Sequence, residues 1–490
     1  MPMRRTHLIY ASGIVLVLNA VAAAQDAAPL DIGSRLELFA DTYVIDKLDG
    51  AQLRLQSPVP AETVLEFDKP WEGEFCAYAT VIKDADRYRL YYRGLPESGA
   101  DGSAAESTCY AESTDGIHFT KPNLGLFEVF GTRDNNAILH GFEPLSHNFA
   151  PFVDTRPDVD AAQRYKALGG TSSTGLVAFV SADGVNWRKL RDEAVINQGA
   201  LDSQNVAFWS ESERQYVCYL RTFDQESKVR TVSRCTSKDF VTWTDIAPME
   251  FGGATPEHLY TNQTTPYFRA PHLYVAIAAR FMEGRRVVSE ELMAQMGGHT
   301  KYSGDCSDAV LLTTRGGTHY DRTFMEGFIR PGIGMNNWTS RTNYPARGVV
   351  PTGESEMSMY VQRNYGQKSH HLQRLVMRTD GFASVHAPYG GGEMITKPLT
   401  FDGVSLAINF STSAAGSVWI ELQRADGTPI PGFTREECDE IVGDEITRIV
   451  TWKGDADVSP LSGGPVRVRA VLKDADLFSV QFMPKMRVNW

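Results

Sequence analysis

Basic side chains are in deficit: 48 Lys and Arg face 60 Asp and Glu over 490 residues, a formal net charge of −12. Nucleic-acid binders present a basic patch or stripe, so that class of partner is excluded. The six cysteines (Cys76, Cys109, Cys218, Cys235, Cys306 and Cys438) contain no CxxC pair, so no zinc site is expected, and neither a metal nor a cofactor is read from the chain. Cys218 and Cys235 fall on candidate neighbouring strands and could meet in an oxidising compartment; small buried thiols are the equal alternative. After Val21 no stretch is apolar over the roughly 20 residues a membrane helix needs. Long Ala/Glu/Lys/Leu stretches are also missing.

What the chain has in plenty is Gly (42), Phe (24) and Tyr (19), the composition of a turn-rich β protein. The first residues read as an export signal. Arg4 and Arg5 precede an apolar run from Leu8 to Val21, and Ala22-Ala23-Ala24 offers small residues for cleavage, leaving Gln25 as the mature N-terminus. Residues 1–24 are therefore expected to be removed, with the product secreted or periplasmic and no membrane contact afterwards.

A four-strand unit repeats along the chain. Its clearest copy runs through Cys76–Ile82, Tyr88–Arg93 and Thr108–Ser113, then turns at Thr114-Asp115-Gly116 into Ile117–Phe119. The Asp-Gly pair supplies the positive φ of a tight hairpin. Equivalent turns recur near 183, 238, 316 and 380, a spacing too long for a solenoid and suited to propeller blades with long loops. The fifth unit is expected to end on a strand at Phe382–Val385, and Asp115, Asp183 and Asp380 are expected to serve turns on the outer rim. Five units predict an all-β, five-bladed β-propeller over 72–387, preceded by a lead-in segment over 25–71. Past Gly390-Gly391-Gly392 the strands lengthen and alternate, which predicts a C-terminal antiparallel β-sandwich over 390–490. One helix is expected near Ser289–Gln295.

In a propeller, residues just ahead of the inner strands converge on one mouth of the channel although they lie far apart in sequence. Glu74 precedes the first inner strand; His147 and Asn148 the second; Asp202, Gln204 and Asn205 the third; Glu257, Asn262 and Gln263 the fourth; Glu326, Arg341 and Asn343 the fifth. Second strands end in Arg93, Arg221, Arg280 and Arg363. Carboxylates, amides, arginines and interleaved aromatics such as Tyr260 and Tyr344 suit a carbohydrate, whose hydroxyls donate and accept hydrogen bonds. Glycosidic cleavage needs one protonated and one ionised carboxyl. Glu74 and Asp202 are the leading pair, with Glu257 and Glu326 behind them. The remaining binding candidates are Arg93, His147, Asn148, Gln204, Asn205, Arg221, Asn262, Gln263, Arg280, Arg341 and Asn343.

The motifs Tyr88–Arg93, Ser113–Gly116, Arg164–Ala167, Ser181–Trp187 and Asp305–Gly332 resemble those of exported proteins similar to glycoside hydrolase family 32, the invertase and levanase group, whose propeller is shared by family 43. The resemblance implies a propeller followed by a sandwich, a carbohydrate substrate and hydrolysis of O-glycosidic bonds. The invertase Asn-Asp-Pro-Asn-Gly, Arg-Asp-Pro and Glu-Cys signatures do not stand at matching positions, and Glu437-Cys438 lies in the sandwich region. A carbohydrate-binding propeller without catalysis and a phosphorylase holding phosphate on channel arginines are the alternatives.

Overall fold

The computed structural model describes residues 28–485, so the expected signal segment and the cleavage point at Gln25 lie outside the described residues. Five four-stranded antiparallel sheets form a β-propeller. Blade 1 is Ala77–Asp84, Arg87–Gly94, Ser107–Ser113 and Ala137–Leu139. Blade 2 is Ala150–Val153, Tyr165–Thr171, Gly175–Ser181 and Arg188–Lys189. Blade 3 is Val206–Ser210, Gln215–Phe223, Arg230–Ser237 and Ala247–Pro248. In blade 4, Leu259–Thr261 and Thr265–Tyr267 both pair with Ala270–Met282, which pairs with Cys306–Thr314. Blade 5 is Val350–Pro351, Glu356–Arg363 and His371–Arg378, completed by Val59–Glu66 from the start of the chain.

That last strand corrects two expectations. Residues 25–71 are not merely a lead-in, and Phe382–Val385 is not the outer strand of blade 5. Val59–Glu66 occupies that place, with Leu65 opposite Leu372 and the Glu62 carboxylate on Arg374 at 2.8 Å. The strand upstream of blade 1 thus zips onto the last blade and closes the ring. Pro60 is tolerated because an outer strand leaves one edge unpaired. Ala383–Ala387 instead pairs with the second sheet system, against Gln52–Leu55 and the strand Val466–Met483. In blade 1 the outer strand is Ala137–Leu139; after the turn at Asp115 the chain bridges back to the third strand at Thr120–Glu112.

The turns are encoded locally. In Ser113-x-Asp115, Ser181-x-Asp183 and Ser237-x-Asp239 the serine hydroxyl donates to the aspartate at 2.8–3.0 Å. The same carboxylate oxygen accepts the backbone N–H groups two and three residues on, at 2.7–2.9 Å. These acids satisfy backbone donors on the rim, the role short polar side chains fill in turns.

The sandwich is built on two long strands, Ser405–Arg424 and Val466–Met483, paired antiparallel with slips at Asn409/Phe410 and Thr412/Ser417 that let one ten-stranded sheet fold over itself. Four short strands between Leu30 and Leu55 pair into this sheet, so the N-terminal segment belongs to both architectures. Its core holds Ile420, Leu422, Val468, Leu472 and a stacked Phe401–Phe482 pair with ring centroids 3.7 Å apart. Each fully buried side chain of this size contributes about 1.5–3 kcal/mol.

Buried charges join sandwich and propeller. Asp380, expected as a rim turn residue, is fully buried and accepts from Tyr267 Oη (2.8 Å), Arg269 (2.6 Å), Asn409 Nδ2 (3.1 Å) and Ser479 Oγ (2.9 Å). It therefore ties blade 4 to both long sandwich strands. Nearby, Arg315 pairs with Glu37 (3.3 Å) and Asp41 (2.7 Å), and His272 with Glu37 (3.1 Å). Burial alone would raise the Glu37 carboxyl, but the His272 hydrogen bond and the Arg315 charge outweigh it and hold it below its ordinary value.

All six cysteines are buried free thiols, with Cys218 and Cys235 directly opposite across two strands of blade 3. The α-helix of the described residues is Glu290–Gln295, capped by the Ser289 hydroxyl accepting from Leu292 N–H at 3.1 Å. No helix among the described residues is long and apolar enough to cross a membrane.

Candidate functional site

The inner strands begin at what we call the upper mouth of the channel. There the backbone turns left-handed at Tyr78 (φ 55°), Asn148 (φ 53°), Gln263 (φ 53°) and Asn343 (φ 69°), one residue in each of four blades, and again at Arg341 (φ 59°). Such conformations cost non-glycine residues on the order of 1–3 kcal/mol each and persist only where the surroundings over-determine them.

Two of the predicted amides seal the channel just below. Gln204 Nε2 donates to the Tyr78 carbonyl (3.1 Å) and Thr80 Oγ1 (2.9 Å), and Gln263 Nε2 donates to Gln204 Oε1 (2.7 Å) and the Pro345 carbonyl (2.9 Å). These bonds connect blades 1, 3, 4 and 5. Deeper still, Arg347 donates to the carbonyls of Pro151 (2.9 Å) and Ala207 (2.8 Å), and burial lowers its pKa to about 10. The upper mouth is thus a floored bowl, not an open pore.

Around the bowl stand three predicted arginines. Arg93 lies 4.8 Å from the Tyr78 ring and holds Asp101 (2.9 Å), Asn148 Oδ1 (3.3 Å) and the Phe75 carbonyl (3.2 Å). Arg221 lies 5.2 Å from the Tyr260 ring and pairs with Asp202. Arg341 lies 5.9 Å from Tyr260 and 5.5 Å from Tyr302. Burial raises the Tyr78 hydroxyl, reinforced by Tyr260 and opposed by all three arginines, which places the three cations around one phenol.

The four predicted acids separate. Asp202 is well exposed at the bowl, 59% for its side chain. Glu74 is half-buried on the same face, its carbonyl accepting from Gly366 N–H at 2.9 Å, and its carboxylate has no hydrogen-bond or ion-pair partner among the described residues. Glu257 and Glu326 do not join them. Glu257 is held by Arg280 (2.6 Å) and Arg322 (2.8 Å), beside a cavity of about 620 Å³ between blades 3 and 4. Arg280 also grips Asp308 at 2.6 Å and the Met325 carbonyl at 3.1 Å, so its polar partners lie in blade 4 and in the connections on either side of it. Glu326 is exposed on that connection, between residues 321 and 329, which bridge to the third strand of blade 4. The expectation that Glu257, Glu326 and Arg280 reach the channel mouth is therefore corrected: their loops run along the blade edge, and a strong local ion-pair network captures the first and last of them.

The remaining predicted residues divide between shaping and facing the bowl. Asn205 Nδ2 donates to Leu201 and Ser203 carbonyls, Asn262 Oδ1 accepts from Thr264, and Asn343 Nδ2 donates to Ser307 and Asn337 carbonyls. These three asparagines hold loop backbone. Asn148 keeps its Nδ2 without a partner. His147 is buried with Nδ1 2.8 Å from Glu106, and that bond fixes the imidazole's orientation.

Sequence reasoning missed several groups here. Asp101 and Glu106 come from the 95–106 loop joining two strands of blade 1. Partial burial pushes the Asp101 carboxyl up, but Arg93, Arg341 and His147 outweigh it and hold it below the usual carboxylate range. Tyr302 comes from the long insertion in blade 4. Its carbonyl accepts from Ser340 N–H (2.8 Å), its hydroxyl meets Ser98 Oγ (3.1 Å), and His299 N–H donates to Gly366 (2.8 Å). The insertion therefore crosses to blades 5 and 1 and walls one side of the bowl. The length of both loops was the available signal. Among the described residues no cluster of His, Cys, Asp and Glu could hold a metal ion.

The lower mouth differs. It is a cavity of about 350 Å³ lined mainly by apolar groups, including Phe152, Phe208, Trp209, Tyr267 and Phe268.

No family model matches the chain, and no curated protein matches it. Among solved structures it is similar to a family 32 β-fructofuranosidase of Bombyx mori, at 11% identity and TM-score 0.43 over 86% of this chain and 94% of that one. A fructofuranosidase of Schwanniomyces occidentalis complexed with fructosylnystose aligns at 12% identity and TM-score 0.39, over 88% of this chain and 100% of that one. A β-1,2-mannobiose phosphorylase of Listeria innocua aligns at 12% identity and TM-score 0.41, over 66% and 93%. At this distance the reaction has to be argued from the chain's own side chains, and the architecture it shares with the family 32 resemblance is a five-bladed propeller joined to a β-sandwich.

Proposed function

We propose that the protein is an exported enzyme that hydrolyses O-glycosidic bonds of an oligo- or polysaccharide at the upper mouth of the propeller. The observation that carries this reading is the bowl itself: exposed acids, arginines and tyrosine rings gathered over a floor closed by Gln204 and Gln263. Tyrosine faces can take the C–H side of a sugar ring, while arginines and amides take its hydroxyls. Asp202, exposed at the bowl and paired with Arg221, is placed to act as base or nucleophile. Glu74, with no ion-pair partner among the described residues, is assigned the transfer of a proton to the leaving oxygen. Asp101 on Arg93 is a further carboxylate within the same bowl. Export follows from cleavage after Ala24.

The test is a glycan panel with purified protein, run with and without phosphate. Product release without phosphate supports hydrolysis. Turnover only with phosphate identifies a phosphorylase, and saturable binding without turnover identifies a carbohydrate-binding propeller; either outcome removes the hydrolase reading. Mass analysis of the exported protein's N-terminus checks the cleavage point at Gln25.

A further inference from the structure

Charge pairing at the bowl is incomplete. Arg93 has Asp101 at 2.9 Å, Arg221 has Asp202, and His147 has Glu106 at 2.8 Å. Arg341 has no carboxylate within 4.0 Å among the described residues; neither Glu74, Asp101 nor Asp202 comes into ion-pair range. Tyrosine rings surround it instead. The chain nevertheless holds this arginine in a left-handed conformation, φ 59°, by bonds on both sides: Gln362 Nε2 to its carbonyl (2.6 Å) and Ser340 N–H to the Tyr302 carbonyl (2.8 Å). Backbone strain of this kind is not explained by packing that leaves the guanidinium without a counter-ion. One more donor at the same mouth is unused among the described residues, Asn148 Nδ2, 2% exposed.

We propose that Arg341 is an oxyanion subsite, and that the saccharide bound here carries an acidic group, a uronate carboxylate or a sulfate ester, which supplies the missing counter-charge. A guanidinium fork matches a planar carboxylate or a sulfate through two parallel hydrogen bonds. The Tyr260 and Tyr302 rings flank the guanidinium, and Asn148 Nδ2 is a further unpartnered donor at the same mouth. The inference rests on the reading of the upper mouth as a saccharide site and narrows it to acidic glycans.

The experiment is equilibrium binding, by calorimetry, of uronate- and sulfate-bearing oligosaccharides, each beside its carboxyl-reduced or desulfated counterpart, with inorganic phosphate as a further probe. At least one acidic member should bind about tenfold or more tightly than its neutral counterpart at low salt. That preference should shrink as salt rises and disappear in Arg341→Gln. Arg341→Asn, whose side chain suits a left-handed backbone, is the second variant should Arg341→Gln fold poorly. Equal binding of every acidic and neutral pair overturns the proposal, as does a preference that survives both variants. Arg341-dependent binding of inorganic phosphate without any preference among the sugars overturns the sugar-borne acid and assigns the anion to free phosphate. Acid preference without turnover leaves this inference standing and removes the hydrolase reading. Turnover of neutral glycans without acid preference does the reverse.

Discussion

At its upper mouth the channel carries arginines, tyrosines, exposed carboxylates, left-handed backbone and polar atoms without partners. At its lower mouth it carries Phe152, Phe208, Trp209 and Phe268, with Tyr267 donating to Asp380 at 2.8 Å and Arg347 bound to two backbone carbonyls. Both mouths are made by the same five inner strands. The difference lies in what the flanking loops must do. On the blade 4 side the lower mouth is tied to the sandwich joint, where Tyr267 and Arg269 meet Asp380. Upper loops leave donors and charges unmatched, which in a folded protein is costly and is retained where a ligand completes the bonding.

The contrast predicts that upper-mouth substitutions remove activity and spare stability, and that lower-mouth substitutions do the opposite. The largest effect is expected from Asp202→Asn and Glu74→Gln, each of which should lower kcat/KM on the true substrate by about 10²–10⁴-fold. Thermal stability should barely move, since the Asp202–Arg221 pair is largely exposed on its acidic side and such pairs are worth about 0–1 kcal/mol. Phe268→Ala at the lower mouth should leave kcat/KM within about twofold. A catalytically dead Phe268→Ala with its fold intact would erase the distinction between the mouths.

Next in size, Asp380→Ala should cost about 3–5 kcal/mol in urea unfolding, because it strands the Arg269 charge and three other donors in the joint between propeller and sandwich. Activity per folded molecule should stay unchanged. A loss below about 1 kcal/mol would mean that the joint is held by packing alone.

A third difference concerns protons. His370 lies behind the upper mouth, tilted against Phe67 and edge-to-face with Tyr365, and burial, helped by the charge of His371, lowers its pKa to about 3. The unfolded chain, with an ordinary histidine pKa of about 6.5, binds this proton first, so stability falls as pH drops from about 6.5 towards 3. At pH 5 the loss attributable to His370 is about 2 kcal/mol relative to pH 7. His370→Phe should flatten the stability profile across that window; an unchanged profile would locate the sensitivity elsewhere.

The smallest expected effect lies on the rim, away from both mouths. Asp183→Ala removes an acceptor of two backbone N–H groups and should cost about 1 kcal/mol without touching activity. Burial raises the Asp183 carboxyl, but hydrogen bonds from Asn186 and Val185 bring it down to about 2, so this contribution is present above an ordinary aspartate pKa and lost as pH falls through about 2. Denaturation at neutral pH compared with strongly acidic pH checks both the size and the sign.

Much of the fold is legible in short stretches of sequence. A serine, an aspartate and the two N–H groups that follow it close within six residues, so the rim turns at 115, 183 and 239 of the first three blades can be read directly. The floor amides Gln204 and Gln263 were legible for a similar reason: each stands a fixed distance ahead of an inner strand. Asp380 misleads because its Thr-Asp-Gly setting looks like the same turn, yet its partners Asn409 and Ser479 are 29 and 99 residues away.

Local chemistry thus sufficed for the all-β class, the five units and the helix at 290–295. Ring closure was out of its reach, because the strand that completes blade 5 comes from residues 59–66, and Glu62 meets Arg374 only across 312 positions. So was the state of each charge. Arg93, Arg221 and Arg280 each end a second strand and Arg341 precedes an inner one, but Arg280 is captured by Asp308 and Glu257, Arg93 and Arg221 each hold one acid, and Arg341 holds none among the described residues. The physical reason is range. A turn is settled by hydrogen bonds between near neighbours, whereas an ion pair depends on where two independent loops come to rest once the ring has closed.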